Sequence, residues 1–287
     1  MYIHGKKIFL DTENSITIYQ KLIKTFDDVS ILESVIGGEN KGRYSIILFN
    51  VYENIEIYQN FVISNSKKIK IKSPVSYLKN LQKNQNFTDL YKKKIPIPFI
   101  IGNLCFDLAK FSLPKLKYDI SKNEINIPLA HFLKPKNLII IDNVLNETHL
   151  IEFSLSKIKS RTKLNKIENI LLLPVKKNRK ILSNKTSKFK SHMSKESFFA
   201  KVNNLKKEIV NGEIFQAVLS QRFSAIYKID PFNFYRALRS INPSPYLVFL
   251  NLKKYQIICS SPETMINVKN NKVTLRPIAG HEEEVKQ

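Results

Sequence analysis

The stretch INPSPYLVFLNLKKYQIICSSPE, Ile241–Glu263, decides the fold. Its Asn242-Pro243 step closes a helix, because proline pushes the residue before it out of the α region. Tyr246–Leu252 and Tyr255–Cys259 then follow as strands, short and rich in aromatic and β-branched residues. Upstream, Asp230-Pro231 starts that helix, with proline at the first helical position, where a missing N–H costs nothing. Before it, Ile214–Ala225 suits a strand. Earlier still, Ser194 caps a helix that Gly212 ends. On that helix Phe198, Val202, Leu205 and Ile209 recur on one face. Downstream, Met265–Lys269 and Val273–Pro277 read as a strand pair joined at Asn270-Asn271.

Working toward the N-terminus, Pro174–Ser191 is polar, basic and without periodicity, and marks a boundary. Ser154–Leu172 has a helical pattern. The preceding residues read mostly as strands: Tyr44–Tyr52, then short pieces around Ile55–Ile57, Val62–Ile63 and Ile69–Ile71. Ile97–Leu104 and Leu138–Ile141 have the unbroken apolar character of buried central strands. Val75–Lys83, after Pro74, is a helix. No internal repeat is visible. The expected fold class is α+β with antiparallel sheet dominating. The expected domains are 1–175, a basic linker over 176–193, and 194–287.

Composition narrows the function classes. The chain has 287 residues, 43% hydrophobic and 10% aromatic, enough apolar material for a core. It lacks a run of about 18 apolar residues, the length that spans a bilayer. The N-terminus MYIHGKKIFLDTEN lacks the apolar core of a signal peptide, so the expected location is the cytoplasm. The two cysteines, Cys105 and Cys259, read as buried free thiols. The formal charge of +23 would suit a nucleic-acid binder. The lysines are instead scattered with Asn and Ile through every segment, as codon usage in an AT-rich genome would scatter them. No nucleic-acid partner and no membrane partner are expected.

Four short signatures stand in order near the C-terminus: NGEIFQAVLSQRF (Asn211–Phe223), NPSPY (Asn242–Tyr246), SSPE (Ser260–Glu263) and RPIAG (Arg276–Gly280). In that order and at those spacings they resemble the first half of the chorismate-binding domain of the anthranilate synthase component I family. Further signs are ILESVIGGENKGRYS (Ile31–Ser45), which resembles the family's LLES element, and IIGNLCFDLAKF (Ile100–Phe111). The resemblance implies an anthranilate synthase-type fold, with large antiparallel sheets and flanking helices. It also implies an incomplete chorismate-binding domain, because the chain stops soon after RPIAG. The family converts chorismate and ammonia to anthranilate and pyruvate in tryptophan biosynthesis. Its ammonia comes from a glutamine amidotransferase small subunit, with which it forms a heterotetramer, and L-tryptophan inhibits it.

Carried over by motif, the resemblance gives specific residues. Glu263 of SPE corresponds to a family glutamate beside the chorismate pocket, the candidate catalytic residue. Gly280 corresponds to the glycine of a Gly-Thr pair that meets substrate, and His281 stands where the threonine would be. Glu33 and Ser34 on one wall, and Pro245, Tyr246 and Leu247 on the other, correspond to the tryptophan pocket. The family's cofactor is Mg²⁺, a hard cation that needs carboxylate ligands. Those glutamates lie in family segments absent from this sequence, so no metal ligand is assigned here. His4, His131, His149, His192 and His281 match no family motif.

The ending His281-Glu282-Glu283-Glu284-Val285-Lys286 is what a one-nucleotide slip would make of a family-like Thr-Arg-Arg-Arg-Gly-Lys. The expectation is a truncated reading frame and a chain inactive alone, with apolar faces left uncovered. A metal-binding role for Glu282–Glu284 is the rival reading, weakened because consecutive side chains point in different directions. Two functional alternatives stay open. One is an aminodeoxychorismate, isochorismate or salicylate synthase relative; the other is a non-catalytic remnant that binds tryptophan or the small subunit.

Overall fold

The computed structural model describes residues 1–34, 42–83, 86–113, 115, 125–158, 161–175, 188–269 and 271–275. The chain divides into two compact units, one of Met1–Lys176 with Tyr235–Gln287 and one of Lys177–Phe234. In chain order the first unit holds β1 (Tyr2–Ile8), α1 (Ser15–Leu22), β2 (Ser30–Glu33), β3 (Tyr44–Ile57), β4 (Phe61–Ser64) and β5 (Lys67–Lys70). It continues with α2 (Pro74–Lys83), β6 (Thr88–Asp89), β7 (Ile101–Leu104), β8 (Ala130–Asp142), β9 (Glu147–Ser154) and α3 (Arg161–Leu172). The second unit holds β10 (Lys190–Ser191), α4 (Lys195–Val210) and β11 (Phe223–Ser224). Helix α5 (Pro231–Ile241) carries the chain back, and β12 (Tyr246–Asn251), β13 (Gln256–Ser261), β14 (Asn267–Lys269) and β15 (Lys272–Thr274) follow.

One sheet organises the first unit, in the order β13-β12-β2-β3-β8-β9-β1-β6, with β4 and β5 extending from β3 and β7 pairing with β8. Its pairings are antiparallel except for β1 with β6. Residues 194–287 were expected in a domain of their own. Strands β12 and β13 instead hydrogen-bond into the sheet of the N-terminal residues, through β2.

The sheet is buried on both faces. Leu48, Leu133, Leu138, Ile140 and Ile151 gather on one face with Ile3, Leu250 and Leu252. The alternate residues Ile47, Ile139 and Leu150 are equally buried, as are Ile18, Leu22, Leu164 and Leu171 of the helices. A strand covered on both faces reads as an unbroken apolar run, which is why Leu138–Ile141 was legible. The run Ile97–Leu104 misled. Only Ile101–Leu104 forms a strand, and among the described residues it pairs with β8 alone, at Ala130–Leu133. Gly102 lies so close to β8 that an added Cβ would stand 2.0 Å from the His131 carbonyl oxygen. The helical pattern of Ser154–Leu172 is also shorter than expected, since Ser154 ends β9 and α3 begins at Arg161.

In the second unit, Ser194 caps α4 as the sequence suggests, its hydroxyl accepting from the Ser197 N–H at 3.1 Å. Gly212 follows the helix with φ +77°, a left-handed conformation suited to glycine. The expected strand over Ile214–Ala225 shrinks to Phe223–Ser224, which pairs with Lys190–Ser191. Phe215 and Val218 are 94% and 87% exposed. The stretch is rich in apolar residues, but no described strand lies alongside Ile214–Arg222 to complete a ladder.

Candidate functional site

Strand β2 and the strand that follows NPSP adjoin in the sheet. Strand β2 lies between β3 and β12, and its last residue, Glu33, pairs with Leu247 across the ladder. Leu32 pairs with Val248 and Ile31 with Phe249. The β2 end and the NPSPY segment are therefore neighbours, although most of the chain separates them. Across β12, Leu247 pairs with Ser260 and Tyr246 with Ser261, so the SSPE signature joins the same corner. The Ser260 hydroxyl ties it down by donating to the Asn242 carbonyl at 2.8 Å.

Local chemistry fixes the supporting helices. Asn14 caps α1, its side chain accepting from the Ile16 and Thr17 N–H groups while Thr17 accepts from the Asn14 N–H. This capping box places Ser15 at the helix start. Asp230 caps α5 by accepting from the Asn233 N–H at 3.0 Å. Tyr235 and Arg239 stand four residues apart on α5, on one helical face. The Phe249 ring lies between two others, 5.5 Å from Tyr19 of α1 and 5.8 Å from Tyr235.

Glu33 is buried, and both of its carboxylate oxygens have partners. One accepts from the Ser15 hydroxyl at 2.6 Å. The other accepts from the Tyr235 hydroxyl and the Arg239 Nε, each at 2.6 Å. Burial first, and the Glu33 charge second, push the Tyr235 phenol well above its ordinary range. Ser34 is different: its Oγ is buried and has no hydrogen-bond partner among the described residues. Native structures leave few such groups. Pro245 is half-buried, Leu247 is wholly buried, and Tyr246 is exposed with its hydroxyl bonded to that of Thr264.

Glu263 is exposed beyond the end of β13, its backbone N–H donating to the Ser261 hydroxyl at 3.3 Å. Gly280, His281 and Glu282–Glu284 lie outside the described residues. Among the described residues no three His, Cys, Asp or Glu side chains converge as metal ligands would. Cys105 and Cys259 are free thiols, both pushed up chiefly by burial. No helix of the described residues is long and apolar enough to cross a membrane.

Sequence reasoning missed Ser15, Tyr235 and Arg239. The one available signal was the four-residue spacing of Tyr235 and Arg239 on an amphipathic helix. It also missed a second polar group around His131, which is wholly buried in β8. The Nε2 of His131 meets the Asn54 side-chain oxygen at 2.5 Å, and its Nδ1 meets the Tyr255 hydroxyl at 3.0 Å. Glu56, nearby, accepts from Tyr58 at 2.8 Å and from Lys254 at 2.9 Å.

Comparison with known proteins gives a consistent result. A family model described as chorismate binding enzyme matches residues 34–284. Anthranilate synthase component 1 of Lactococcus lactis is 32% identical over 283 residues, covering 96% of this chain and 60% of that protein. The Thermus thermophilus protein of the same name is 28% identical over 281 residues, covering 96% and 59%. The crystal structure of anthranilate synthase component I from Streptococcus pneumoniae superposes with a TM-score of 0.65 at 30% identity, covering 84% of this chain and 55% of that one. The chain thus spans about 60% of the length of the curated relatives it matches.

Proposed function

This chain belongs to the chorismate-binding enzyme family, and on that premise we propose that it serves anthranilate synthesis as a component I. The substrates are chorismate and ammonia, the ammonia arriving from a glutamine-hydrolysing small subunit. The products are anthranilate, pyruvate and water, and L-tryptophan is the inhibitor. The names of the relatives support this branch over aminodeoxychorismate, isochorismate or salicylate synthesis. Glu263, Gly280 and His281 belong to the chorismate side of the proposal, which draws on the whole length of the relatives.

One observation carries the tryptophan site: the antiparallel pairing of Glu33 with Leu247, next to a buried Ser34 hydroxyl without a partner among the described residues. A free amino acid presents an ammonium, a carboxylate and a side chain. An unpartnered hydroxyl supplies polar contact, and buried Leu247 supplies an apolar floor for an indole. Pro243 and Pro245 restrict the second wall before the ligand arrives, which lowers the ordering cost of binding. Inhibition would be a coupling free energy of about 1–3 kcal/mol between this pocket and the chorismate cleft.

Isothermal calorimetry tests the pocket. Heat of binding at micromolar L-tryptophan, absent with L-leucine, is the expected result; no heat with tryptophan sinks the reading. A second reading, a tryptophan-binding polypeptide without turnover, is favoured by the lack of converging metal-type ligands among the described residues. An assay with chorismate, ammonium and Mg²⁺ separates the two, because anthranilate is fluorescent.

A further inference from the structure

We infer that Glu33 does not touch the bound amino acid, but fastens the two walls of its pocket together, with Tyr235 and Arg239 as positioning residues. The inference rests on the tryptophan reading for its ligand and on geometry for everything else. Both Glu33 oxygens already hold internal partners at 2.6 Å. These donors take three of the carboxylate's roughly four acceptor sites, and the side chain is only 2% exposed, so an ammonium group could reach it only by pushing Ser15, or Tyr235 and Arg239, aside. Each displacement would strip a partner from a buried charge or polar group, which is costly.

The same contacts close a ring. Glu33 ends β2, and Arg239 sits on α5. Helix α5 ends at Ile241, and Asn242 is held by the Ser260 hydroxyl. The chain then runs through Pro243–Tyr246 to Leu247, which pairs with Glu33. First wall, charge pair, helix and second wall thus form one closed circuit of covalent and hydrogen bonds. A ligand seated between Ser34 and Pro245 acts on two points of that circuit. Any spreading of the walls is felt at the Glu33–Arg239 pair, and therefore by α5.

Two measurements on the full chain test this. The first is amide hydrogen exchange without ligand, comparing wild type with Arg239→Gln and Arg239→Lys. Expected is exchange about tenfold faster at the Ile31–Ser34 and Tyr246–Phe249 amides in Arg239→Gln, little change in β8 and β9, and partial recovery in Arg239→Lys. Equal acceleration everywhere, or none, overturns the fastening. The second is tryptophan calorimetry with Tyr235→Phe and Arg239→Gln, where a loss of affinity of about tenfold is expected, the size of a typical coupling. Wild-type affinity in both variants overturns the positioning role while leaving the tryptophan site intact. Absence of binding in the wild type removes the tryptophan reading and its positioning residues, and the exchange result then decides the fastening alone.

Discussion

The Nδ1 of His131 lies 3.0 Å from the hydroxyl of Tyr255, and this contact ties the start of the central strand β8 to the connection between β12 and β13. Burial holds the His131 imidazole down to about 4, with the Glu56 carboxylate opposing and Lys254 assisting. The ring is therefore neutral in the folded chain at pH 6. It hydrogen-bonds on both sides, Nε2 donating to the Asn54 side-chain oxygen and Nδ1 accepting from the Tyr255 hydroxyl.

A pH dependence follows from that burial. The unfolded imidazole takes its proton near pH 6.5, whereas the folded one waits until about 4. Stability is complete above pH 6.5 and falls as the pH drops from there toward 4. His149, also lowered chiefly by burial, adds in the same direction. Each histidine contributes at most about 1.4 kcal/mol per pH unit. Urea unfolding midpoints between pH 7.5 and 5 should decline in the wild type, and His131→Gln should flatten the slope. An unchanged slope in the variant would assign the dependence to other groups.

The His131 cluster also shows what a sequence conceals. Leu138–Ile141 was legible as a buried strand because its four apolar residues face both sides of a covered sheet. The facing of Glu33 and Leu247 was legible only through family motifs, since no local pattern links residues so far apart. Tyr235, Arg239 and Tyr255 carried no such motif. Their partners, Glu33 and His131, come from distant strands, so burial and pairing emerge only when the sheet is assembled. Ile214–Ala225 failed for the opposite reason. Its local pattern suits a strand, but a strand also needs a neighbour.

Gly102 should be intolerant of a side chain. An added Cβ would stand 2.0 Å from the His131 carbonyl and 2.6 Å from the Phe132 ring, and the carbonyl is backbone that cannot swing aside. Gly102→Ala must push β7 off β8. The expected loss is about 1–3 kcal/mol, the usual range for overpacking, read from chemical denaturation. A loss below about 0.5 kcal/mol, typical of surface changes, would mean that β7 moves freely.

Asp142 should matter more than an ordinary surface carboxylate. It is buried, and it accepts from Arg43 Nε and Nη2 and from the Val144 and Leu145 N–H groups. Desolvation raises its proton affinity, but the Arg43 and backbone bonds prevail and hold the carboxyl below its ordinary value. Its contribution is thus present above about pH 4 and lost as the pH falls below that. Asp142→Ala orphans two backbone donors and should cost about 1–3 kcal/mol. Arg43 is partly exposed, so Arg43→Ala should cost less. The two denaturation curves at pH 7 give the ranking.

Exposed apolar side chains should make the second unit adhesive. Val210, Phe215, Val218 and Ile226 are all largely exposed over one short segment, and exposed apolar patches bind dyes and partners. The chain should enhance the fluorescence of anilinonaphthalene sulfonate at neutral pH without denaturant. The double change Phe215→Ser with Val218→Ser should lower that signal and delay association on concentrating. Equal dye binding by the variant would place the sticky surface elsewhere.

Ser34 offers a prediction with two opposite signs. The buried Ser34 hydroxyl has no partner among the described residues, and an unsatisfied buried hydroxyl lowers stability, so Ser34→Ala should leave the ligand-free chain as stable as the wild type or up to about 1 kcal/mol more so. If the hydroxyl is a ligand contact, the same change should weaken tryptophan binding by about tenfold, the value of one good hydrogen bond. A structural serine would behave otherwise: its loss would reduce stability and leave affinity alone. Thermal unfolding and calorimetry on one pair of proteins therefore decide whether the orphaned oxygen is kept for a ligand, since only a binding group gains stability and loses function in a single step.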